Sequence, residues 1–229
     1  MKIKLVAFDW NGTILDDMLG GVIAESATRV HFGFKETSLE EIQEHFEIPI
    51  KKYWINTGLS SEFFDTHSAE IDKIFMQNYE PEEARSGLRS GSKEILDWLK
   101  GEKIDSIIFS NHIVPHIVRQ TKRLGIRNYF KEILARGALG DLVHHEKTFK
   151  DELLKQYVEA GFFAPHQVLV VGDTIEEIEI SKKFGYTSVA FTGGWQSTAR
   201  LKSANPDFLI NSLVDLRSII TRLSEQASD

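Results

Sequence analysis

Apolar positions along this chain follow two rhythms. Short continuous runs flanked by turn-forming residues fall at 4–8, 106–109, 133–135, 168–171, 188–191 and 208–210. Runs of this length and composition predict buried strands. Between the later runs, apolar residues recur at spacings of three and four from Ile113 to Leu124, Phe149 to Ala160 and Ile175 to Phe184, the pattern of helices with one buried face. Strands alternating with helices predict an α/β fold with a doubly wound, parallel, Rossmann-like sheet.

From about Met18 to Gly87 the strand-like runs vanish. Ile23, Ala27, Val30 and Phe34 fall on one helical face, Ser38 followed by Glu41 reads as a capping box, and helical signal continues from Glu62 to Tyr79. The chain therefore divides into a core, residues 1–17 and 88–229, and a helical subdomain, residues 18–87, inserted after the first strand. Glycines at both borders, Gly20-Gly21 and those of "RSGLRSGS", offer hinge points.

With 229 residues the chain can bury a full core. Its net charge of -7 and the lack of any long Lys/Arg run argue against nucleic-acid or anionic-membrane partners. The absence of cysteine excludes disulfides, thiolate catalysis and Cys-ligated zinc. The apolar stretch at the amino terminus is too short for a signal-peptide core, and no run reaches the roughly 18 residues of a membrane span. The expectation is a soluble cytoplasmic protein, monomeric or homodimeric.

Four stretches carry chemistry. In "FDWNGTILDD", Asp9 directly follows the first strand, where open α/β sheets bind ligands; Asn11-Gly12 is equally a turn signal. In "VLVVGDTIEE", Asp173 follows another strand, with Glu176 and Glu177 close behind; two strand-end acids suit a hard cation, although Asp173 could instead cap the next helix. "SIIFSNH" places Ser110 and Asn111 at a strand end before a helix, either an anion cradle or an ordinary cap. Lys147, in "HHEKTFKDELL", is either a counter-charge for acids and phosphate or a surface lysine. His112 and His116 are spaced to share a metal but fit an ordinary helix start, the aromatics Phe46, Tyr53, Trp54, Phe63 and Phe64 read as core or as substrate-facing lining, and "TGGWQS" as a loop bordering the site.

The order of "DWNGTILDD", "FSN", Lys147 and "VVGDTIEE", with a helical insert in the first gap, resembles the haloacid dehalogenase (HAD) superfamily, in particular its phosphoglycolate phosphatase-like members with a helical cap. The resemblance implies a Mg²⁺-dependent phosphohydrolase of a small phosphorylated metabolite. Asp9 would be the nucleophile, giving an aspartyl phosphate. Asp9, the Asn11 carbonyl, Asp173 and Glu177 would hold Mg²⁺, while Ser110, Asn111 and Lys147 would bind phosphate. The chain departs from the family where an acid-base aspartate is usual, carrying Asn11, and where Glu177 replaces an aspartate. An amide cannot shuttle a proton, so turnover of alkyl esters should be slow. Two alternatives share the motifs: a phosphonatase-like C–P hydrolase using Lys51 as a Schiff-base lysine, and a non-catalytic binding or regulatory protein.

Overall fold

The computed structural model describes residues 2–137 and 149–225. Strand β1 (Leu5–Phe8) leads through a short β2 (Leu15–Asp16) into four helices, α1 (Met18–His31), α2 (Leu39–His45), α3 (Ile50–Asn56) and α4 (Ser61–Glu83). The chain returns through β3 (Gly87–Leu88) to α5 (Ser92–Gly101), β4 (Asp105–Ile113), α6 (Val114–Arg123) and β5 (Phe130–Arg136). Further on, α7 (Lys150–Ala160), β6 (Val168–Gly172), α8 (Ile175–Phe184), β7 (Thr187–Phe191), α9 (Thr198–Ser203), β8 (Phe208–Ile210) and α10 (Leu216–Glu225) complete the described fold.

All six strands read from the apolar runs join one parallel sheet, in the order β5-β4-β1-β6-β7-β8. The first strand lies centrally, with Phe8 level with Ile108 on one side and Val171 on the other. Strand order reverses at β1, which opens a crevice beyond the strand ends. Side chains alternate between the faces of β1: Val6 and Phe8 join a core with Ile95, Ile117 and Leu216, whereas Leu5 and Ala7 pack with Leu154 and Val158. Burial on both faces explains why these strands read as continuous apolar runs.

Helices α1 to α4 enclose a separate apolar cluster that includes Ile42, Tyr53, Trp54, Phe64 and Ile71. The Ser38 side chain caps α2 by accepting from the Glu41 N–H at 3.2 Å, as the capping-box signal predicts. The buried face of α1 corrects the sequence expectation. Ile23 and Val30 are exposed, and the helix instead buries Gly20, Gly21, Ala24 and Thr28. The physical reason is backbone proximity: a Cβ at Gly20 would meet Glu82 of α4 at 2.8 Å, and one at Gly21 would collide with the Trp195 ring. These glycines lie inside a helix and permit close packing, so they are not border hinges.

The pair β2–β3 is antiparallel, with Leu15 opposite Leu88, and ties together the two crossings between sheet and helices. Two-residue strands leave no periodic signal in a sequence. No helix among the described residues is long and apolar enough to cross a membrane.

Candidate functional site

The stretch after β1 is both a strand end and a turn. The Asp9 N–H donates to the Val171 carbonyl at 2.8 Å, extending the β1–β6 ladder by one residue. The chain then reverses: Ile14 N–H donates to Trp10 O at 3.0 Å, and Gly12 adopts φ +75° while donating to Leu15 O at 3.1 Å. Gly12 is required twice, because a Cβ there would also strike the Asp173 carboxylate.

Asp17 locks this turn. Its Oδ1 accepts from Gly12 N–H at 2.8 Å and its Oδ2 from Asn11 Nδ2 at 2.9 Å. The Tyr79 hydroxyl, from α4, donates to the same Oδ2, and Asn11 Nδ2 lies 2.8 Å from that hydroxyl. Burial raises the Asp17 carboxyl above its usual range, and the bonds from Tyr79, Asn11 and Gly12 partly offset the rise. The Asn11 side chain is thus a structural donor joining the sheet to the helices.

Asp173 faces the same turn from the end of β6. Its Oδ1 accepts from the Thr13 hydroxyl at 2.6 Å, and its Oδ2 from the Trp195 N–H at 2.6 Å. The cap of α8 is Thr174, whose N–H donates to Glu177 Oε2 at 3.0 Å. Asp173 therefore does not serve as the helix cap. The loop holding Trp195 borders the site, as "TGGWQS" suggests.

A lysine that the sequence reading missed supplies the central cation. Lys150, the first residue of α7, donates to Asp9 Oδ1 at 2.7 Å, contacts Glu177 Oε1 and lies 3.8 Å from Glu176. It is 3% exposed. Lys147 lies outside the described residues. The available signal was helix position, since a residue on the first turn of a helix entering the sheet points toward the strand ends.

Burial pushes the Asp9 carboxyl well above its ordinary range; Lys150 pulls it back, while the charges of Glu177 and Asp173 push it further up. Asp173 is pushed up to about 7 by burial, reinforced by Glu177. For Lys150, burial opposes the charge, but Asp9, Glu177 and Glu176 outweigh it and hold the ammonium. The site thus gathers more buried negative charge than its lysine neutralises. An all-oxygen, anionic donor set of this kind fits a hard divalent cation.

The four ligands expected from the sequence are not equally placed. Asp9 and Asp173 follow neighbouring strands. Glu177 bonds Lys150 through Oε1 and Thr174 through Oε2, and so fixes the lysine beside Asp9. Ser110 is buried, but it does not sit at a helix start: β4 continues to Ile113 with a register shift after Phe109, and α6 begins at Val114 beside Pro115. The expected cradle at a helix N-terminus is therefore corrected. Pro115 is accommodated in the first turn, which places the helix start beyond Ser110. The Ser110 hydroxyl accepts from His112 N–H at 3.2 Å, and Asn111 Nδ2 donates to Glu176 at 2.6 Å.

A second cluster joins the helices to the core. His112 Nε2 lies 2.8 Å from Glu83 of α4, and His116 Nδ1 lies 3.5 Å from the other oxygen of Glu83. Ligand atoms of the three residues all fall within 4.8 Å of one another, so they could hold a metal ion. Burial would raise the Glu83 carboxyl, but hydrogen bonding and charge from His112 hold it below its usual range.

The family described as haloacid dehalogenase-like hydrolase matches residues 6–191 of this chain. A phosphoglycolate phosphatase from Vibrio parahaemolyticus is 26% identical over 231 residues, covering 95% of this chain and 96% of its own length. One from Mannheimia succiniciproducens is 24% identical over 228 residues, covering 96% and 99%. Among solved structures, a haloacid dehalogenase-like hydrolase from Streptococcus pneumoniae superimposes with a TM-score of 0.78 at 20% identity, covering 95% of this chain and 98% of its own.

Proposed function

This chain belongs to the haloacid dehalogenase-like hydrolases, and from that premise we propose that it is a Mg²⁺-dependent phosphatase of a small phosphorylated metabolite, working through a phosphorylated Asp9. The observation that carries the reading is the Asp9 carboxylate at the end of β1, one oxygen held 2.7 Å from a buried lysine and a second acid, Asp173, beyond the neighbouring strand. The phosphoglycolate phosphatases among its relatives support the substrate class. Residues 18–87 serve as a cap domain over a core of residues 1–17 and 88–229.

Asp9, Asp173 and the Asn11 carbonyl would hold the cation. When bound, it would screen the repulsion between the Asp9 carboxylate and a phosphate dianion. With Oδ1 held by Lys150, Oδ2 of Asp9 is the oxygen left to attack phosphorus. Ser110, Asn111 and Lys150 face the transferring group, and the ammonium stabilises charge on its oxygens. Glu177 positions Lys150. Because the Asn11 amide is tied to Asp17 and Tyr79, it supplies no acid proton, and the reading favours esters whose leaving group departs readily. Lys51 is ion-paired to Asp65 at 2.6 Å; a paired ammonium is a poor Schiff-base amine, which weighs against the C–P hydrolase.

A screen of phosphate esters, acyl phosphates and phosphonoacetaldehyde, with and without Mg²⁺, tests the proposal. The expected result is Mg²⁺-dependent phosphate release, with acid-stable label trapped on the peptide containing Asp9. Mg²⁺-independent release, or label on any other residue, overturns it. Phosphate binding without turnover of any compound supports the regulatory alternative instead.

A further inference from the structure

Apart from the acids around Asp9, three metal-ligating side chains converge where the helices meet the sheet. Glu83 is the last residue of α4, His112 lies near the end of β4, and His116 falls in the first turn of α6. Their side chains are 1%, 8% and 7% exposed. His112 Nε2 lies 2.8 Å from Glu83 Oε1, whereas His116 Nδ1 lies 3.5 Å from Glu83 Oε2. One carboxylate thus faces two imidazoles and bonds only the first: His116 Nδ1 makes no hydrogen bond among the described residues. Buried ring nitrogens are nearly always bonded.

The spacing suits a shared ion. Ligands about 2.1 Å from a tetrahedral Zn²⁺ stand about 3.4 Å apart, and the two observed separations fall on either side of that value. All three ligand atoms lie within 4.8 Å of one another. Supporting groups are also in place. His116 Nε2 lies 3.9 Å from Glu80, and a carboxylate behind the second ring nitrogen is the usual brace of a ligating histidine. Gln120 lies beside the Glu83 carboxylate, and its Oε1 accepts from Trp10 Nε1 at 2.6 Å. An ion has a way in, because His112 lines the 460 Å³ cavity whose lining includes Asp9, and the Glu80 side chain beside His116 is 47% exposed.

Donor chemistry selects the ion. Two imidazole nitrogens and a carboxylate suit Zn²⁺ and its first-row neighbours, whereas the oxygen-only set at Asp9 and Asp173 suits Mg²⁺. We propose that Glu83, His112 and His116 form a second metal site, which takes one Zn²⁺ per chain and pins the end of α4 to the sheet. Glu83 precedes β3, where the chain passes back from the helices to the sheet, so the ion spans that crossing. Through Gln120 it also braces Trp10, the neighbour of Asp9. The site stands whether or not the acids release phosphate.

Equilibrium dialysis of the full chain against Zn²⁺ in excess Mg²⁺, with bound metal counted by mass spectrometry, tests the proposal. Wild type and Asp173→Asn should each hold one Zn²⁺. His112→Gln, His116→Gln and Glu83→Gln should each bind it at least about 100-fold more weakly, since loss of a ligand costs no less than loss of its brace. Nitrogen-15 NMR of the imidazole rings in wild type needs no variant to fold: zinc should fix His112 as an Nε2 ligand and His116 as an Nδ1 ligand. Zinc should also raise the urea midpoint of wild type and leave that of His116→Gln unchanged. If wild type retains no zinc, or its ring signals do not respond, the proposal is overturned and the cluster is a buried ion pair. Zinc kept by all three cluster variants but lost from Asp173→Asn overturns it as well, because the ion would then sit among the acids.

Discussion

The floor and the roof of the active-site cavity are built on opposite principles. At the floor, Asp9, Asp173, Glu177 and Lys150 are buried polar groups tied to one another, to the Thr13 hydroxyl and to the Trp195 N–H. At the roof, helical side chains are mostly apolar, and the buried Glu25 carboxyl lies beside the Tyr53 hydroxyl and the Arg29 charge. A satisfied network holds reacting groups in one geometry. The contrast teaches that in this molecule the sheet fixes a set of buried charges, whereas the helices cover them with a largely apolar surface.

The sharpest way to break this comparison is at the floor. Asp9→Asn should lower kcat by at least about 10⁴-fold, because the proposed mechanism assigns the covalent bond to Asp9; a steady-state assay that retains a tenth of the wild-type rate would remove the nucleophile from the argument. Chelating the divalent cation in wild type should mimic that loss reversibly.

Lys150→Met comes next. Removing the ammonium leaves Asp9 and Glu177 facing each other unpaired, with an expected destabilisation of about 3–5 kcal/mol in urea unfolding at neutral pH. Added Mg²⁺ should restore part of that stability by mass action, a rescue that a lysine of purely structural value would not allow.

At the roof the test is pH dependence. Burial pushes Glu25 up to about 7, from an ordinary 4.5, against the pull of Arg29. A raised folded-state pKa means that the folded protein binds the proton more tightly than the unfolded chain. The contribution is therefore full below about 4.5 and is lost as pH rises through about 7. The loss is about 3 kcal/mol across that window. Glu25→Leu should abolish this part of the slope, leaving the variant the more stable protein at pH 8, as urea melts at pH 5 and pH 8 would show.

The smallest effect sits where floor and roof meet. Asn11→Asp places a carboxyl beside Asp17, whose charge favours the protonated form, and so creates the missing general acid. A gain of about 10²-fold in kcat is expected on alkyl phosphates, with little change for aryl or acyl phosphates whose leaving groups need no proton. Equal gains on both classes would show that Asn11 limits something other than proton transfer.

Much of the floor was legible in the sequence because its parts lie at strand ends, and strands buried on both faces announce themselves as unbroken apolar runs. Asp9, Asp173 and the strand that carries Ser110 were found this way. Lys150 was not: it lies in a polar stretch, and only the start of α7 brings its ammonium to Asp9. The roof was harder to read. Ile23 and Val30 suggested the inner face of α1, yet the helix approaches α4 and Trp195 so closely that glycines occupy that face and larger residues are turned out. Glu83, His112 and His116 converge although no local pattern joins α4 to the start of α6.

Periodicity, strand-end acids and the Asn-Gly turn determined by themselves the parallel sheet, its helical insertion and the position of Asp9 at a strand end, since each depends on neighbours a few residues away. Only the tertiary structure decided that Lys150 meets Asp9, which face of α1 is buried and that Glu25 and Tyr53 lie side by side. Those outcomes depend on how closely distant backbones approach, a quantity set by packing between elements that no single stretch encodes.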